Sequence, residues 1–236
     1  MTLPVIITRA EPGARETATR VAELGFHSIL SPALSIQPIV PPPPLDLTGV
    51  TGLLFTSANG VRTFAARSDR RDIEAICVGR ATRAAAEAAG WTVVKDADGN
   101  AADLAALVSE QRRVGDGRLL HVANEAAAGR LMETLRARGY DVGFAPLYRT
   151  VDARNLAPEA LASLSNGPCC VLIHSAKGAA AFDRLAPADC KALMVCAVSK
   201  AAAGPLSERR LADLHIAERP NEDALLRALS FAASTL

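Results

Sequence analysis

The chain has 236 residues, half of them apolar and 4% aromatic, with 26 Lys and Arg against 25 Asp and Glu and a net charge of +1. That balance excludes a strongly basic nucleic-acid surface as a global feature, and no apolar run approaches the roughly 18 residues of a membrane span. The opening Met1-Thr-Leu-Pro-Val-Ile-Ile-Thr-Arg9 lacks the charged and long apolar regions of a secretory leader, so the expectation is a cytoplasmic chain with neither a nucleic-acid nor a membrane partner.

In chain order, a buried strand at 5–8 is followed by a helix over 16–24 that closes on Gly25, and then by extended segments at 28–30 and 34–38. Four prolines at 41–44 predict a stiff spacer. A regular alternation follows: strands at 53–55, 75–78, 92–94, 119–122 and 142–144, with helices over 60–67, 81–89, 101–112 and 128–138. Strands that alternate with helices predict a parallel sheet covered on both faces. A further extended segment at 145–151 leads to a helix at 158–164.

The second half of the chain is read through an echo of the first. Leu53-Leu-Phe-Thr-Ser-Ala-Asn-Gly-Val-Arg62 returns 118 positions later as Val171-Leu-Ile-His-Ser-Ala-Lys-Gly-Ala-Ala180. Ile76-Cys-Val-Gly-Arg-Ala-Thr82 is matched by Val195-Cys-Ala-Val-Ser-Lys-Ala-Ala202, and Asn100-Ala-Ala-Asp-Leu104 by Asn221-Glu-Asp-Ala-Leu225. The stretch 8–34 is paralleled at an offset of 114 by 122–148, with Gly25 and Gly139, then Pro32 and Pro146, at matching places. Four pairs in consistent order predict two related α/β lobes. The extended crossings near 32–40 and 145–152 predict that one lobe, 38–150, is inserted into a discontinuous lobe made of 1–36 and 152–236, with a ligand cleft between them.

Each repeated motif is an apolar strand that breaks into a small polar turn and opens a helix, a geometry that aims backbone N–H groups at an anion. The turns are Thr56-Ser57-Ala58-Asn59, Gly79-Arg80-Ala81-Thr82, Ser175-Ala176-Lys177 and Ser199-Lys200, and Arg9, Arg80, Lys177 and Lys200 are the cations beside them. Helix capping by Ser and Thr is the structural alternative. Five cysteines include no CxxC and, with four scattered histidines, give no metal spacing; they read as small core residues. His174-Ser175 lacks the GxSxG elbow of a hydrolase, and neither Gly-rich turn has the Walker or GxGxxG spacing. His27, His121 and His215 lie in or beside apolar strands and read as packed or solvent-facing, and Trp91 as a packing residue between helix and strand.

Ile7-Thr-Arg9, Pro32-Ala-Leu34, Phe55-Thr-Ser57 with Gly60-Val61, Val78-Gly-Arg-Ala-Thr82, Gly99-Asn-Ala101, Tyr148-Arg149, Ser175 with Gly178, and Glu218-Arg-Pro220 together resemble the uroporphyrinogen-III synthase family over nearly the whole length. The resemblance implies two α/β lobes, each a parallel sheet flanked by helices, joined by a two-stranded ladder. It implies a monomeric, cofactor-free and metal-free lyase of porphyrin, and so heme, biosynthesis that closes hydroxymethylbilane to uroporphyrinogen III with inversion of ring D and loss of water. A transient contact with the preceding pathway enzyme belongs to the same expectation.

A linear tetrapyrrole with eight carboxylates suits strand-end N–H groups and cations. The expected contacts are Arg9, Thr56, Ser57, Arg80, Thr82, Ser175, Lys177, Ser199 and Lys200. Departure of the terminal hydroxyl calls for a donor, and Tyr148, which matches the family's tyrosine, is the expected one, since a phenol with a pKa of about 10 is protonated at neutral pH. The turn Val122-Ala-Asn-Glu125 lacks the family's usual Arg-Gly, and Ala202 stands where the repeat carries Thr82. The competing expectation is a diverged, non-catalytic two-lobed binding or sensor protein for an anionic metabolite such as a tetrapyrrole.

Overall fold

The computed structural model describes residues 2–97, 99–127, 129–190 and 192–234. Ala128, where a helix was expected to start, and Met1, Thr235 and Leu236, at the outer ends of the expected lobes, lie outside the described residues. The chain divides into two compact units, one of residues 1–35 with 151–236 and the other of residues 36–150.

The first unit begins with β1 (Pro4–Ile7), α1 (Gly13–Glu23) and β2 (His27–Leu30). The second runs from β3 (Leu34–Pro38) through β4 (Val50–Phe55), α2 (Ala58–Ala65), β5 (Glu74–Cys77), α3 (Arg80–Ala88), β6 (Val94–Asp96), α4 (Ala101–Gln111), β7 (Arg118–Asn124) and α5 (Arg130–Ala137) to β8 (Val142–Asp152). The first unit is then completed by α6 (Pro158–Asn166), β9 (Cys169–Ile173), α7 (Ala176–Leu185), β10 (Leu193–Ala197), α8 (Lys200–Ala203), β11 (Asp213–Ile216) and α9 (Glu222–Ser234).

The first unit's sheet has the order β11-β10-β9-β1-β2, and the second's the order β3-β8-β7-β4-β5-β6. The recorded pairings from β4 to β8, and those among β1, β2, β9, β10 and β11, are parallel. Reading the second sheet as β6-β5-β4-β7-β8 lays it strand for strand on the first, so the four echoes in the sequence are four strand-and-helix units in the same spatial order. What differs is where the chain enters. β3 neighbours β8, and the bonded pairs Ala153–Ala33 and Ile39–Leu147 run in opposite directions. The proline run expected as a spacer lies inside the second unit, between β3 and β4.

Alternation along the strands explains both layers. In the first unit Ile6, Val171, Ile173 and Val195 pack with Phe182 of α7 on one face, while Val5, Ile7, Cys170, Leu172 and Met194 pack with Leu225 and Leu229 of α9 on the other. In the second, Leu53, Phe55, Cys77 and Val122 meet Phe64 of α2, and Leu54, Ile76 and Leu119 meet Leu104 of α4 and Leu135 of α5. All five cysteines are buried free thiols among these side chains. Trp91 packs edge-on to Phe55 with ring centroids 5.7 Å apart and donates its indole N–H to Ile73 O at 3.0 Å.

The strand-to-helix turns are set by two residues of the repeated Ser-Ala-x-Gly. The serine is the N-cap: Ser57 Oγ accepts from Asn59 N at 3.1 Å, and Ser175 Oγ from Gly178 N at 3.0 Å. The glycine permits close packing, since a Cβ on Gly60 would stand 2.7 Å from Val122 O. The paired asparagines do likewise: Asn100 caps α4 through Ala102 N at 2.8 Å, and Asn221 caps α9 through Ala224 N at 2.9 Å.

Candidate functional site

In a parallel sheet flanked by helices, ligands bind beyond the carboxyl ends of the strands, where the strand order reverses direction. In the second unit β4, β5 and β6 advance to one side while β7 and β8 lie on the other, so the reversal falls between β4 and β7. In the first unit it falls between β9 and β1. Both places hold clusters of polar side chains.

At the β4–β7 point, Thr56 and Ser57 follow β4, while His121 and Asn124 belong to β7. Tyr148, on β8, is 4% exposed. Burial raises the pKa of its phenol, and hydrogen bonds with the Ser57 hydroxyl and the Asn124 backbone offset part of that rise. The phenol is therefore fully protonated at neutral pH. The structure thus joins two residues expected in the site, Tyr148 and Ser57, and the same Ser57 hydroxyl caps α2. Asn124 in turn donates through Nδ2 to Thr150 Oγ1 at 2.6 Å and accepts at Oδ1 from Ala126 N at 2.9 Å, which fixes the end of β7. Next to this pair, Thr56 Oγ1 lies 3.1 Å from His121 Nε2. His121 is 1% exposed, its Nδ1 is buried with no hydrogen-bond partner among the described residues, and burial lowers its pKa to about 4. On the neighbouring β5–α3 turn Arg80 is exposed and Thr82 is 5% exposed, with the Thr82 N–H bonded to Gly79 O at 3.0 Å.

At the β1–β9 point, Arg9, expected as a carboxylate contact, is engaged by side chains of its own unit. Its Nη1 donates to Glu222 Oε2 at 3.1 Å and to Thr17 Oγ1 at 3.2 Å, and Thr17 donates to Glu222 Oε1 at 2.6 Å. The guanidinium lies over the start of α1, where a Cβ on Gly13 would come within 2.7 Å of it. His174 completes the cluster, with Nε2 3.0 Å from Glu222 Oε2. Burial alone would raise the Glu222 carboxyl. The His174 hydrogen bond and charge, Thr17 and Arg9 outweigh it and hold the pKa down to about 2. An ionised carboxylate only accepts, so His174 donates from Nε2. Ser175 and Lys177 are exposed on the next turn; Ser199 caps α8, accepting from Ala202 N at 3.2 Å, and Lys200 is exposed. Ala202 is 3% exposed and α8 spans four residues, so this turn offers a serine and a lysine where its counterpart offers Arg80 and Thr82.

The Glu222 cluster carries a stability expectation. A carboxyl whose folded pKa is depressed contributes fully above its unfolded value near 4.5 and loses that contribution as pH falls toward about 2. Glu222→Gln is expected to cost on the order of 2 kcal/mol at pH 7. In urea titrations the gap from the unsubstituted protein should narrow progressively between pH 4.5 and 2.5; a gap independent of pH would show that the cost is not electrostatic.

Sequence reading passed over three residues: His121, which it took as packed or solvent-facing; His174, weighed only as a hydrolase residue; and Glu222, seen only as part of a repeated helix start. Burial of His121 agrees with the packed alternative, but its bond to Thr56 joins two positions 65 residues apart that no local pattern connects.

The family model for uroporphyrinogen-III synthase HemD matches residues 15–227. Among solved structures, the uroporphyrinogen-III synthetase of Helicobacter pylori 26695 is similar with a TM-score of 0.68 at 17% identity, over 98% of this chain and 100% of that one. A mutant uroporphyrinogen III synthase of the extremely thermophilic bacterium Thermus thermophilus is similar with a TM-score of 0.55 at 19% identity, over 100% of both chains. At these identities the two structures speak to the fold, a pair of helix-flanked parallel sheets, and the family model speaks to descent. The chain belongs to the uroporphyrinogen-III synthase family, cyclising lyases of tetrapyrrole biosynthesis.

Proposed function

We propose that the chain closes hydroxymethylbilane to uroporphyrinogen III with Tyr148 as the proton donor to the departing hydroxyl, and with the strand-end turns as contacts for the substrate's carboxylates. The observation that carries the reading is the position of Tyr148 at the strand-order reversal, its phenol held by Ser57 and the Asn124 backbone and kept protonated by burial. The pyrrole nitrogen supplies the electron push that expels the hydroxyl, so a donor of modest strength is enough. The azafulvene cation so formed is attacked by the substituted carbon of ring D, and the resulting spiro intermediate reopens and recloses with ring D inverted. Because the linear substrate also closes unaided to the uninverted isomer, the protein's task is mainly to hold a fold of the substrate in which the substituted carbon is the nearer nucleophile.

Thr56, Ser57, Arg80 and Thr82 in the second unit, and Ser175, Lys177, Ser199 and Lys200 in the first, are the proposed carboxylate contacts. Arg9, engaged by Glu222, has the narrower proposed role of donating to substrate through the remaining edge of its guanidinium. None of these steps calls on a cofactor. The proposed setting is a cytoplasmic monomer that receives its unstable substrate from the preceding enzyme. The test is direct: supply fresh hydroxymethylbilane, oxidise the products and separate the isomers by chromatography. Type III in excess over the protein-free control is expected; type I alone would defeat the reading.

A further inference from the structure

His121 lies on the face of β7 that packs against α4 and α5, two residues on from Leu119, with the Phe144 ring 5.6 Å away. At 1% exposure its presence in an apolar layer calls for a reason, because a leucine there would need no hydrogen bond. Among the described residues its one hydrogen-bonding contact is Thr56 Oγ1 at 3.1 Å, and Thr56 opens the turn that leads into α2. A neutral imidazole has one donor and one acceptor nitrogen, and here one nitrogen faces Thr56 while the other, Nδ1, is buried without a partner among the described residues. Two tautomers are available. If Nδ1 carried the hydrogen, a donor would be stranded in a dry layer, the rarer and costlier arrangement. If Nε2 carries it, only a lone pair is left unmet, and the threonine oxygen becomes the acceptor.

We propose that His121 is a positioning residue for substrate binding: its Nε2–H donates to Thr56 Oγ1 and so commits the threonine's own proton to a substrate carboxylate. The proposal rests on the reading of the β4–α2 turn as a carboxylate contact. Thr56 is only half-buried, so its hydroxyl can meet a ligand while the imidazole behind it stays dry. A hydroxyl with one acceptor site filled has two staggered positions left for its proton, both turned away from the imidazole, whereas an unsupported one rotates among three. Burial lowers the His121 pKa to about 4, so the imidazole is uncharged across the neutral range and this arrangement does not depend on pH there.

Two experiments test this. Long-range ¹⁵N–¹H correlation spectra of the full chain, with His121 assigned by comparison with His121→Gln, should show a protonated Nε2 and a bare Nδ1 from pH 5 to 8; a protonated Nδ1 overturns the proposal. Kinetics with hydroxymethylbilane then separate positioning from packing. His121→Leu is expected to raise KM roughly tenfold with kcat changed less than about twofold, the loss of one hydrogen bond to a charged group. His121→Gln, whose amide nitrogen can reach the place of Nε2, should restore most of the affinity. Thr56→Val should raise KM by a similar factor, and adding His121→Leu to it should raise KM no further. If Thr56→Val raises KM and His121→Leu does not, the positioning role is wrong while the turn remains a contact. If Thr56→Val leaves KM unchanged, the carboxylate reading of the turn fails and the proposal with it. Should His121→Leu not fold, His121→Met serves in its place, and the spectra of the unsubstituted chain decide the tautomer regardless.

Discussion

Tyr148→Phe is expected to lower the rate of type III formation about a hundredfold, near the low end of what a positioned acid contributes, and to shift the product mixture toward type I. Both effects have one cause. Without a proton donor the hydroxyl departs more slowly, and substrate that waits longer closes unaided. The enzyme should keep some activity, because the pyrrole nitrogen still supplies the electron push. The fold should survive, since the lost oxygen leaves Ser57 with its bond from Asn59 N. KM should move little, which separates a donor from a carboxylate contact. Initial rates with isomer analysis give the answer, and a full rate with an unchanged isomer ratio would remove Tyr148 from the chemistry. With the phenol pKa raised above its ordinary value, the rate should also show no alkaline decline from Tyr148 below about pH 10.

Phe55→Ala should produce the largest loss of stability, about 3–5 kcal/mol in urea unfolding. Phe55 is fully buried and meets Phe64 at 6.1 Å and Trp91 at 5.7 Å between ring centroids, both edge-on. Truncation would therefore remove one of three rings in mutual contact and leave a cavity that the stiff strand β4 cannot close. Since Phe55 directly precedes Thr56 and Ser57, activity should fall together with stability. Phe231, 62% exposed on α9, is the matched control, and Phe231→Ala should cost less than about 0.5 kcal/mol. A loss below about 1 kcal/mol for Phe55→Ala would mean that the aromatic cluster is not what holds α2 against the second unit's sheet.

The contrast between these residues and His121 explains what could be read beforehand. Leu53-Leu-Phe-Thr-Ser-Ala-Asn-Gly is a local text: an apolar strand, a capping serine and a glycine where backbone comes close all lie within eight residues. Its echo at 171–178 repeats the same instructions, so the strand-and-helix units and their recurrence follow from sequence, whereas the order of strands within each sheet comes only from the structure. Other features are weaker locally. α1 begins at Gly13 rather than near 16, because Pro12 stands at its N-cap with no side-chain hydrogen bond to mark the start. β8 is one strand of 11 residues where two segments were expected, since Pro146 interrupts the donor pattern and the ladder to β7 shifts register just beyond it. β11, Asp213-Leu-His-Ile, sits at a sheet edge with partly exposed side chains and so lacks the apolar run that marks an inner strand. The pairings of Glu222 with His174 and of Thr56 with His121 span 48 and 65 residues and depend on which strands become neighbours.

The offset entry of the chain into its two matching sheets has a consequence for the order of synthesis. β1 is made well before its central neighbour β9, which begins only at Cys169. Every strand of the second unit exists once residue 152 has been made, so that unit can close while β1, α1 and β2 still wait for the rest of their sheet. Val5, Ile6 and Ile7, fully buried in the finished protein, have only β2 and α1 to cover them until β9 has been made. A chaperone that binds short aliphatic segments would find its target there, and a nascent chain stalled before β9 would present one finished unit and the open edge of an unfinished sheet.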